Sequence, residues 1–365
     1  MKIVYVMKDV GRSGGVKVIF EHANRLTRRG HEVEVAYLSS NTSWFGEVLF
    51  KKVRLNNPGE IVNYLKSFNG IKIATWWETA PWVSQAGGGY YFVQDIESSY
   101  YSDNHSRQRI LDTYRLGLKH LVENSFIEAI LRLIFGAEVK RISIAIDHEV
   151  FKPLKAEKEI DGLYCYRNQL IKNPALMEQT LKLIKKELPN FKLHSYSDEQ
   201  CGFADVNHVS KGDRDIALLM NQAKVFISTS DHEGFCLPIL EAMACGNPVV
   251  STRAIGNESF CVDGVNCLLA DDSEELAKAI ISILIKPKLA SYISSNAKRT
   301  AQRYRWDKAI DGLENIFGKV QPIKVEIVKG KSKTYTFGIP DEEIFAIKSE
   351  HIITRDGRKV LRYIG

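Results

Sequence analysis

Two glutamates eight positions apart are the residues of this chain whose types and spacing best suit chemistry. Glu233 and Glu241 lie in the stretch 228–251, STSDHEGFCLPILEAMACGNPVVS. A carboxylate accepts hydrogen bonds and donates none, so the pair suits a ligand that presents hydroxyl groups. One acid precedes a predicted helix and the other lies one turn into it. The first can therefore reach the reacting end of a bound molecule while the second reaches further along it.

The surrounding residues predict a strand, a loop and a helix. An apolar run at 225–227 ends the strand. Pro238 suits the first helical turn, where its missing N–H is no loss, and Gly246 with Pro248 ends the helix. The N-terminus of such a helix presents unpaired N–H groups and a partial positive charge, which suit a phosphate ester. A nucleotide sugar combines a diphosphate with hydroxyl-bearing sugars and would match both features.

The pattern EGFCLPILEAMACGNPVV resembles the signature of the retaining glycosyltransferases of family 4, which have the GT-B fold. Both acids, the glycine and the aromatic residue, the helix and the closing Gly-x-Pro-Val-Val coincide. The pattern departs at Cys236, where the family usually has a second glycine. The resemblance implies that Glu233 holds sugar hydroxyls near the reacting carbon and Glu241 holds the ribose. It implies a donor site that includes six residues of this stretch: Glu233, Gly234, Phe235, Cys236, Leu237 and Glu241.

Two cations open another predicted helix. Arg167 and Lys172 follow a strand that ends at Tyr166. An arginine could grip a leaving diphosphate through two hydrogen bonds, and a lysine could neutralise it as a point charge. The family has an Arg-x4-Lys element here, although Tyr166 replaces a usual glycine and Asn173 stands where glycine is common. We expect Arg167, Lys172 and Glu233 to form the catalytic set; a solvated charge pair is the alternative.

The N-terminal segment predicts a βαβ unit and therefore a parallel sheet with ligands at the carboxyl ends of its strands. Residues 2–7 and 32–38 read as strands, and apolar residues at helical spacing lie between them. Gly14 and Gly15 precede that helix, where backbone must approach a ligand closely or adopt positive φ. A plain turn is the alternative, and the spacing is not that of a GxGxxG site. The family resemblance, which includes GHEV at 30–33, implies that both glycines face the donor diphosphate or the acceptor.

Three polar residues follow a predicted strand at 90–93: Gln94, Asp95 and Glu97. Their position at a carboxyl end makes them candidates for binding acceptor or sugar hydroxyls. The segment YYFVQDIESSYY, with YRLGL at 114–118, is similar to bacterial rhamnosyltransferases within the same family. The alternative is that the aromatic residues of this region pack between layers.

Asp213-Arg214-Asp215 spells the metal-binding signature of a different glycosyltransferase fold. It precedes the amphipathic run IALLMNQA, so helix capping and compensation of the helix dipole explain the acids without a metal. We expect no metal site and no cofactor other than the donor substrate.

The fold class predicted is α/β, with two Rossmann-like parallel-sheet domains facing a cleft. The N-terminal acceptor domain covers 1–155 and the C-terminal donor domain covers 156–318. A predicted strand at 142–146 leads into DHEVFKP, which resembles the family's connection between domains. The resemblance implies that a last helix at 301–317 packs back on the N-terminal domain.

Residues 320–365 fall outside the resemblance. Their alternating pattern predicts a β-rich tail with a hairpin turn at Asp356-Gly357. Three roles for this tail stay open: it covers a sheet edge, it binds an acceptor, or it forms a homodimer contact.

Composition indicates a globular protein. The chain has 365 residues, 44% of them hydrophobic and 26% charged, and a formal net charge of +6. No apolar run reaches the roughly 18 residues of a membrane span, and the N-terminus does not read as a signal peptide, so we expect a cytoplasmic protein. Six cysteines without a CxxC pair predict free thiols. The modest positive charge fits anionic ligands or an acidic membrane surface, and indicates no nucleic acid.

The sequence thus predicts a retaining glycosyltransferase that moves a sugar from a nucleotide diphosphate donor to a hydroxyl acceptor, a glycan or lipid-linked glycan, without a metal. Two alternatives stay open. One is a nucleotide-sugar epimerase of the same architecture, and the other is a non-catalytic subunit that binds a nucleotide sugar.

Overall fold

The computed structural model describes residues 1–209 and 211–318, and beyond them the strands 323–327, 333–337, 344–348, 351–354 and 359–362. Residues 1–309 form one compact unit and residues 310–365 form a second. Two parallel sheets lie in the first unit, so the predicted domain boundary near residue 155 falls inside it. The predicted turn at Asp356-Gly357 lies outside the described residues.

The first lobe, residues 1–141, is a seven-stranded parallel sheet with helical crossovers. The strand order is 3-2-1-4-5-6-7. Its elements are β1 Lys2–Asp9, α1 Gly14–Arg28, β2 Glu32–Ser39, β3 Lys51–Arg54, α2 Pro58–Ser67, β4 Ile71–Ala74, α3 Ala80–Gln85, β5 Tyr90–Val93, α4 Asn104–Thr113, β6 Lys119–Val122, α5 Ser125–Phe135 and β7 Val139–Arg141.

The second lobe, residues 160–301, is a six-stranded parallel sheet. Its strand order is 10-9-8-11-12-13. Its elements are β8 Ile160–Cys165, α6 Pro174–Glu187, β9 Leu193–Ser197, β10 Val206–Val209, α7 Asp213–Gln222, β11 Ala223–Ser228, α8 Leu237–Cys245, β12 Val249–Thr252, β13 Leu268–Ala270, α9 Ser273–Ile285 and α10 Pro287–Ala301.

The strands after α11 (Trp306–Ile316) pair in antiparallel fashion. They form a two-stranded and a three-stranded sheet. Their bounds are β14 Ile323–Ile327, β15 Lys333–Phe337, β16 Ile344–Lys348, β17 His351–Thr354 and β18 Lys359–Arg362. The predicted β-rich tail therefore contains strands.

Helices cover the parallel sheets, which explains why their strands read as continuous apolar runs rather than as alternating ones. In β1, residues Ile3 to Val6 are at most 1% exposed. Helix α8 is apolar on nearly all sides because it packs between the sheet, α7 and α10. Parallel sheets of this kind bind ligands beyond the carboxyl ends of their strands.

The predicted strand at 142–146 is wrong. Strand β7 ends at Arg141, and the next residues form the connection between the lobes, with one isolated bridge from Ile146 to Arg305. Ile142, Ile144 and Ile146 are only 2–3% exposed. A short buried connection has the same apolar pattern as a buried strand, so periodicity alone did not separate them.

The predicted helix 301–317 corresponds to α11, and its predicted start is five residues too early. Helix α10 ends at Ala301 and α11 begins at Trp306. The Trp306 ring lies 5.6 Å from the His22 ring and 4.9 Å from the Arg25 guanidinium, both on α1. The start of α11 therefore packs against the first lobe. None of the helices in the described residues has the length and apolar character needed to cross a bilayer.

Candidate functional site

The two lobes meet at the carboxyl ends of their strands. Residues that follow β1, β5 and β6 contact residues that follow β9 and β11, and each of these contacts joins one lobe to the other. The predicted site residues lie on these loops and on the helices that follow them. The boundary between the lobes is therefore the place where their side chains can act together.

The tip of α8 offers an anion two backbone donors. Cys236 is the N-cap residue, Pro238 lies in the first turn, and Gly246 ends the helix with φ 85°. The Leu237 N–H donates to the Phe235 carbonyl oxygen at 2.9 Å. The N–H groups of Phe235 and Cys236 have no acceptor among the described residues. Unpaired N–H groups at a helix N-terminus suit a phosphate.

The side chains at this tip face away from the site. The Phe235 ring stacks on Phe260 with 4.9 Å between centroids, and Leu237 packs against the same core. Cys236 is 4% exposed, and burial raises the pKa of its thiol. A ligand at this tip would therefore contact the backbone rather than these side chains. Because the Cys236 side chain is buried in the core, cysteine can stand where the family usually has glycine.

Gly234 fits only because it has no side chain. A Cβ at this position would lie 2.1 Å from the Gln94 carbonyl oxygen and 3.0 Å from Asp95 Cβ. The Asn124 side-chain amide donates to the Gly234 carbonyl oxygen. On the other side, a Cβ on Gly256 would lie 2.2 Å from the Glu233 carbonyl oxygen. The loop that carries Glu233 is therefore pressed against the first lobe.

Lys172 and Glu233 form an ion pair. Lys172 Nζ lies 2.8 Å from Glu233 Oε2, and the Ser230 hydroxyl donates to Glu233 Oε1 at 2.7 Å. Burial lowers the pKa of Lys172, but the Glu233 carboxylate more than offsets this, so the pKa is raised overall. The ammonium group is therefore charged at neutral pH. The structure brings this predicted cation and this predicted acid together.

Lys172 is held by the turn that starts α6. Asn173 has φ 44° and caps the helix by accepting from the Leu176 N–H at 3.1 Å. Its amide also donates to Asp231 Oδ1 at 2.9 Å, and the Thr229 hydroxyl donates to the Lys172 carbonyl oxygen at 3.1 Å. Asparagine tolerates the left-handed region better than most residues, which explains why it can stand where glycine is common.

Unlike Lys172, Arg167 makes hydrogen bonds only to uncharged groups among the described residues. Its Nη1 donates to the Tyr166 carbonyl oxygen and to the Ser197 hydroxyl, both at 3.1 Å. Within the described part of the chain it has no carboxylate partner. Its guanidinium is therefore available to an anionic ligand.

Glu241 contacts a cation of the other lobe. It is 7% exposed, and its Oε1 lies 3.1 Å from Lys17 Nζ of α1. Burial raises the pKa of Glu241, and Lys17 opposes that rise. Lys17 Nζ also lies 2.8 Å from Asp213 Oδ2. Asp213 thus has an ion-pair partner, and no three acidic, histidine or cysteine side chains among the described residues are grouped as a metal site requires.

Gly14 and Gly15 open α1, with Ser13 as the N-cap. Neither glycine has positive φ. A Cβ on Gly15 would lie 3.1 Å from Gln94 Oε1, whereas nothing lies within 4 Å of one on Gly14. The sequence offered two reasons for a glycine here, a close approach of the backbone to another group or a positive φ. At Gly15 the reason is a close approach, and the neighbouring group is the Gln94 side chain.

Asp95 lies at the boundary between the lobes. Its Oδ1 is 2.6 Å from His232 Nε2, and its Oδ2 accepts from the Tyr100 hydroxyl at 2.5 Å. The hydrogen bond to Asp95 raises the pKa of His232, although burial opposes the shift. Gln94 lies beside it and contacts both Gly15 and Gly234. Two of the three predicted acceptor-binding residues are thus adjacent to Glu233.

Glu97 lies apart from this group, and its predicted contact with an acceptor needs correction. It is 2% exposed, and the Tyr91 hydroxyl donates to its Oε2 at 2.5 Å. Burial raises its pKa well above the usual range for a glutamate. The single 3₁₀ turn Glu97–Tyr100 follows the strand and carries the carboxyl group into the core of the first lobe.

Sequence reasoning missed four residues of this boundary: Arg12, Lys17, Asn124 and His232. Arg12 Nη1 lies 3.0 Å from Asp198 Oδ1, which gives the lobes a further ion pair. Arg12 and Lys17 lie on either side of Gly14 and Gly15, and this proximity in sequence could have made them candidates. Their acidic partners lie between 186 and 224 positions further along the chain, so no local pattern could pair them.

A family match covers the second lobe. Residues 146–300 match the family described as Glycosyl transferases group 1. A D-inositol 3-phosphate glycosyltransferase from Saccharomonospora viridis is 34% identical over 109 residues, 29% of this chain and 25% of that protein. An MMP alpha-(1->4)-mannosyltransferase from Mycolicibacterium hassiacum is 32% identical over 129 residues, 33% of this chain and 30% of that protein. The chain thus spans less than a third of the length of these two relatives.

Solved structures match most of the chain in fold. Anabaena HepE in complex with UDP and glucose has a TM-score of 0.76 at 17% identity, covering 88% of this chain and 100% of that chain. Sucrose-phosphate synthase from Thermosynechococcus elongatus has a TM-score of 0.72 at 15% identity, covering 87% and 98%. Together with the two parallel sheets, these neighbours confirm the predicted GT-B fold of two Rossmann-like domains.

Proposed function

We propose that this protein is a retaining glycosyltransferase that transfers a sugar from a nucleoside diphosphate donor to a hydroxyl acceptor. One observation carries the proposal. Lys172, Glu233 and the unpaired N–H groups at the tip of α8 lie together on loops where the two lobes meet. They lie within the segment that matches Glycosyl transferases group 1. The UDP and glucose in the HepE structure support a nucleotide sugar as donor class.

The proposed reaction breaks the bond between the anomeric carbon and the diphosphate oxygen and forms a bond from that carbon to the acceptor oxygen. Negative charge then develops on the departing diphosphate. Lys172, Arg167 and the N–H groups of Phe235 and Cys236 would stabilise that charge. The acceptor attacks on the face that the diphosphate leaves, and its proton passes to a diphosphate oxygen. The mechanism therefore names no separate general base.

The ion pair between Lys172 and Glu233 prepares both groups for the donor. Without a ligand, each neutralises the other at 2.8 Å. A bound nucleotide sugar offers a diphosphate to the ammonium and hydroxyl groups to the carboxylate. We propose that Glu233 holds hydroxyls of the transferred sugar and that Glu241 holds the ribose. Gln94 and Asp95 are the proposed acceptor-binding side chains, since they border the Glu233 loop.

The proposed acceptor is a glycan or a lipid-linked glycan, reached by a cytoplasmic enzyme at the inner face of a membrane. The positive net charge of +6 supports contact with an acidic surface. A homodimer formed through residues 320–365 is a further proposal. Cosedimentation with anionic vesicles tests the membrane contact, and the mass measured by light scattering tests the homodimer. Both measurements compare the full chain with a chain ending at Lys319.

The central test incubates the purified full chain with UDP-, GDP- and dTDP-sugars, with and without a crude glycolipid extract. The dTDP-rhamnose arm tests the subgroup resemblance to rhamnosyltransferases. We expect nucleotide release that depends on the extract. We also expect a product whose anomeric configuration, measured by NMR, equals that of the donor. Conversion of the donor without any acceptor would establish the epimerase instead. Binding without conversion in either arm would establish a non-catalytic subunit.

A further inference from the structure

Lys17 is a cation of the first lobe whose ammonium lies between two acids of the second. It lies one turn after the start of α1, and its Nζ is 2.8 Å from Asp213 Oδ2 and 3.1 Å from Glu241 Oε1. The side chains of Lys17 and Glu241 are 23% and 10% exposed. The Lys17 ammonium also lies 5.2 Å from the centre of the Phe151 ring. Such partly buried pairs are screened by salt much less than exposed ones.

Glu241 depends on this contact more than Asp213 does. The Asp213 side chain is 41% exposed and retains water as a partner, whereas Glu241 is enclosed by the core around α8. Burial disfavours the ionised form of a carboxyl group, and a cation within hydrogen-bond distance restores it. Lys17 supplies the only polar side-chain contact of Glu241 among the described residues, and it occupies Oε1. Oε2 is left to accept from another donor.

We propose that Lys17 is a positioning residue that holds the Glu241 carboxylate ready for the ribose of the donor, so that recognition of the ribose depends on contact between the lobes. The inference rests on the proposed function, in which Glu241 binds ribose hydroxyls. Lys17 touches the carboxylate and not the ligand. Because Lys17 comes from the first lobe, Glu241 has its full hydrogen-bonding strength only when α1 lies against α8.

A purely structural role for Lys17 leads to a different expectation. If its ion pairs only held the lobes together, their loss would weaken every ligand at the boundary to the same extent. If Lys17 acts through Glu241, its loss weakens the ligands with a complete ribose most. The comparison of a ribonucleotide with its 2′-deoxy analogue therefore separates the two roles.

The test measures the Kd of UDP and of 2′-deoxy-UDP by calorimetry for the full-length wild type, Lys17→Met and Lys17→Arg. If the wild type prefers guanine, GDP and 2′-deoxy-GDP replace them, and if it prefers thymine, ribothymidine diphosphate and dTDP replace them. We expect the wild type to favour the ribonucleotide by about tenfold, the range of one charge-assisted hydrogen bond. Lys17→Met should lose most of this preference, and Lys17→Arg should keep most of it because the positive charge remains.

The matched control is Asp198→Asn, which breaks the ion pair with Arg12, another contact between the lobes that does not involve Glu241. It should leave the ribose preference unchanged. Equal weakening of both nucleotides in Lys17→Met, unchanged affinities, or a wild type with no ribose preference would overturn the inference while leaving nucleotide binding itself established. A wild type that binds none of UDP, GDP or dTDP would instead overturn the proposed function, and the inference with it.

Discussion

At the residue scale, Glu233 has the most direct consequence for activity. In the wild type, Lys172 and Ser230 donate to different oxygens of the carboxylate, at 2.8 Å and 2.7 Å. Replacing Glu233 by glutamine removes the negative charge and leaves one acceptor oxygen for Lys172, while the amide NH2 can only donate to the Ser230 hydroxyl. We expect Glu233→Gln to lower the rate of sugar transfer by about 10²–10³-fold, as loss of one preorganised polar contact does. The Kd of the nucleoside diphosphate should stay within a few-fold.

The measurements are acceptor-dependent nucleotide release and calorimetric binding. Glu187→Gln is the matched control, since this glutamate is exposed at the end of α6. Full transfer activity in Glu233→Gln would show that Glu233 has been assigned the wrong role.

Gly234 gives a second prediction, on stability and activity together. Gly234→Ala would place a methyl group 2.1 Å from the Gln94 carbonyl oxygen, so the lobes or the loop must shift. Overpacking of this kind costs about 1–3 kcal/mol. We expect a lower melting temperature and a strong loss of transfer. Gly202→Ala is the control, because nothing lies within 4 Å of a Cβ there. Equal melting temperatures for the two variants would contradict the described contact.

The cations of the site give a third prediction. In the proposed reaction, Arg167 and Lys172 take the place of a metal ion, and the N–H groups of the α8 tip that have no acceptor among the described residues add to their charge. We therefore expect transfer to persist after dialysis against EDTA, with the rate within about twofold of the untreated enzyme. Recovery of a lost rate on adding Mg²⁺ or Mn²⁺ would refute this.

The chain alone was enough to select several of these residues as candidates, because their neighbours along the sequence carry the signal. Glu233, Gly234 and Glu241 fall within one strand-loop-helix stretch, and Arg167 and Lys172 within another. Glu97 was misplaced because a single 3₁₀ turn decides which side of the strand its carboxyl group reaches. Lys17 and His232 were missed because their roles depend on partners in the other lobe.

At the scale of elements, α1 carries a buried histidine that predicts sensitivity to acid. His22 is 1% exposed, its ring nitrogens have no hydrogen-bond partner among the described residues, and it packs against Phe92, Trp306 and Tyr5. Burial, and secondarily Arg25, lower its pKa to about 3. An unfolded histidine titrates near 6.5. The unfolded chain therefore binds the proton first as the pH falls, and stability is lost below about pH 6.5.

Because one pKa unit corresponds to about 1.4 kcal/mol, His22 should cost about 2 kcal/mol of stability between pH 7 and pH 5. His22→Phe should remove that part of the loss while conserving the apolar packing. The check compares the drop in unfolding free energy between the two pH values in the variant and in the wild type. His105→Gln, at an exposed position of α4, is the control. Parallel pH profiles for wild type and His22→Phe would contradict the prediction.

The long elements were predictable and the connections were not. Helices α1 and α8 carry clear start and stop residues, Ser13 and Gly30 for one and Pro238 and Gly246 for the other. The connection at 142–146 is buried like a strand and has the same composition. The connection between α10 and α11 has no proline or glycine to mark it, so the predicted helix began at 301 instead of 306.

At the scale of the whole molecule, three sets of charged contacts join the lobes within the described part of the chain. Arg12 pairs with Asp198, Lys17 pairs with Asp213 and Glu241, and His232 pairs with Asp95. The Arg12–Asp198 pair is the most exposed of these, with side chains 34% and 44% exposed, and it is screened strongly at 1 M salt, where the Debye length is about 3 Å. The partly buried pairs are screened less. We expect the radius of gyration from small-angle X-ray scattering to increase with salt. The double variant Asp198→Asn/Asp213→Asn should have the larger value already at low salt.

A nucleoside diphosphate that the wild type binds should restore the compact value in both cases, because we expect Gly14 and Gly15 of the first lobe to face the diphosphate that Arg167 and Lys172 of the second lobe hold. Lys224→Met, which loses an ion pair confined to the second lobe with Asp161, is the control. A radius that changes neither with salt nor in the double variant would show that these charges do not govern how the lobes close.

In the proposed reaction, the ion pair of Lys172 with Glu233 also bears on selectivity and on product release. Because Glu233 already neutralises Lys172, free phosphate gains little from that lysine. A ligand separates the two side chains at little cost only if it presents an anion to Lys172 and hydroxyl groups to Glu233. Once the sugar has moved to the acceptor, the spent nucleotide offers only the anion, and the pair can re-form behind it. The ion pair that favours binding of a nucleotide sugar therefore also favours release of the nucleoside diphosphate product.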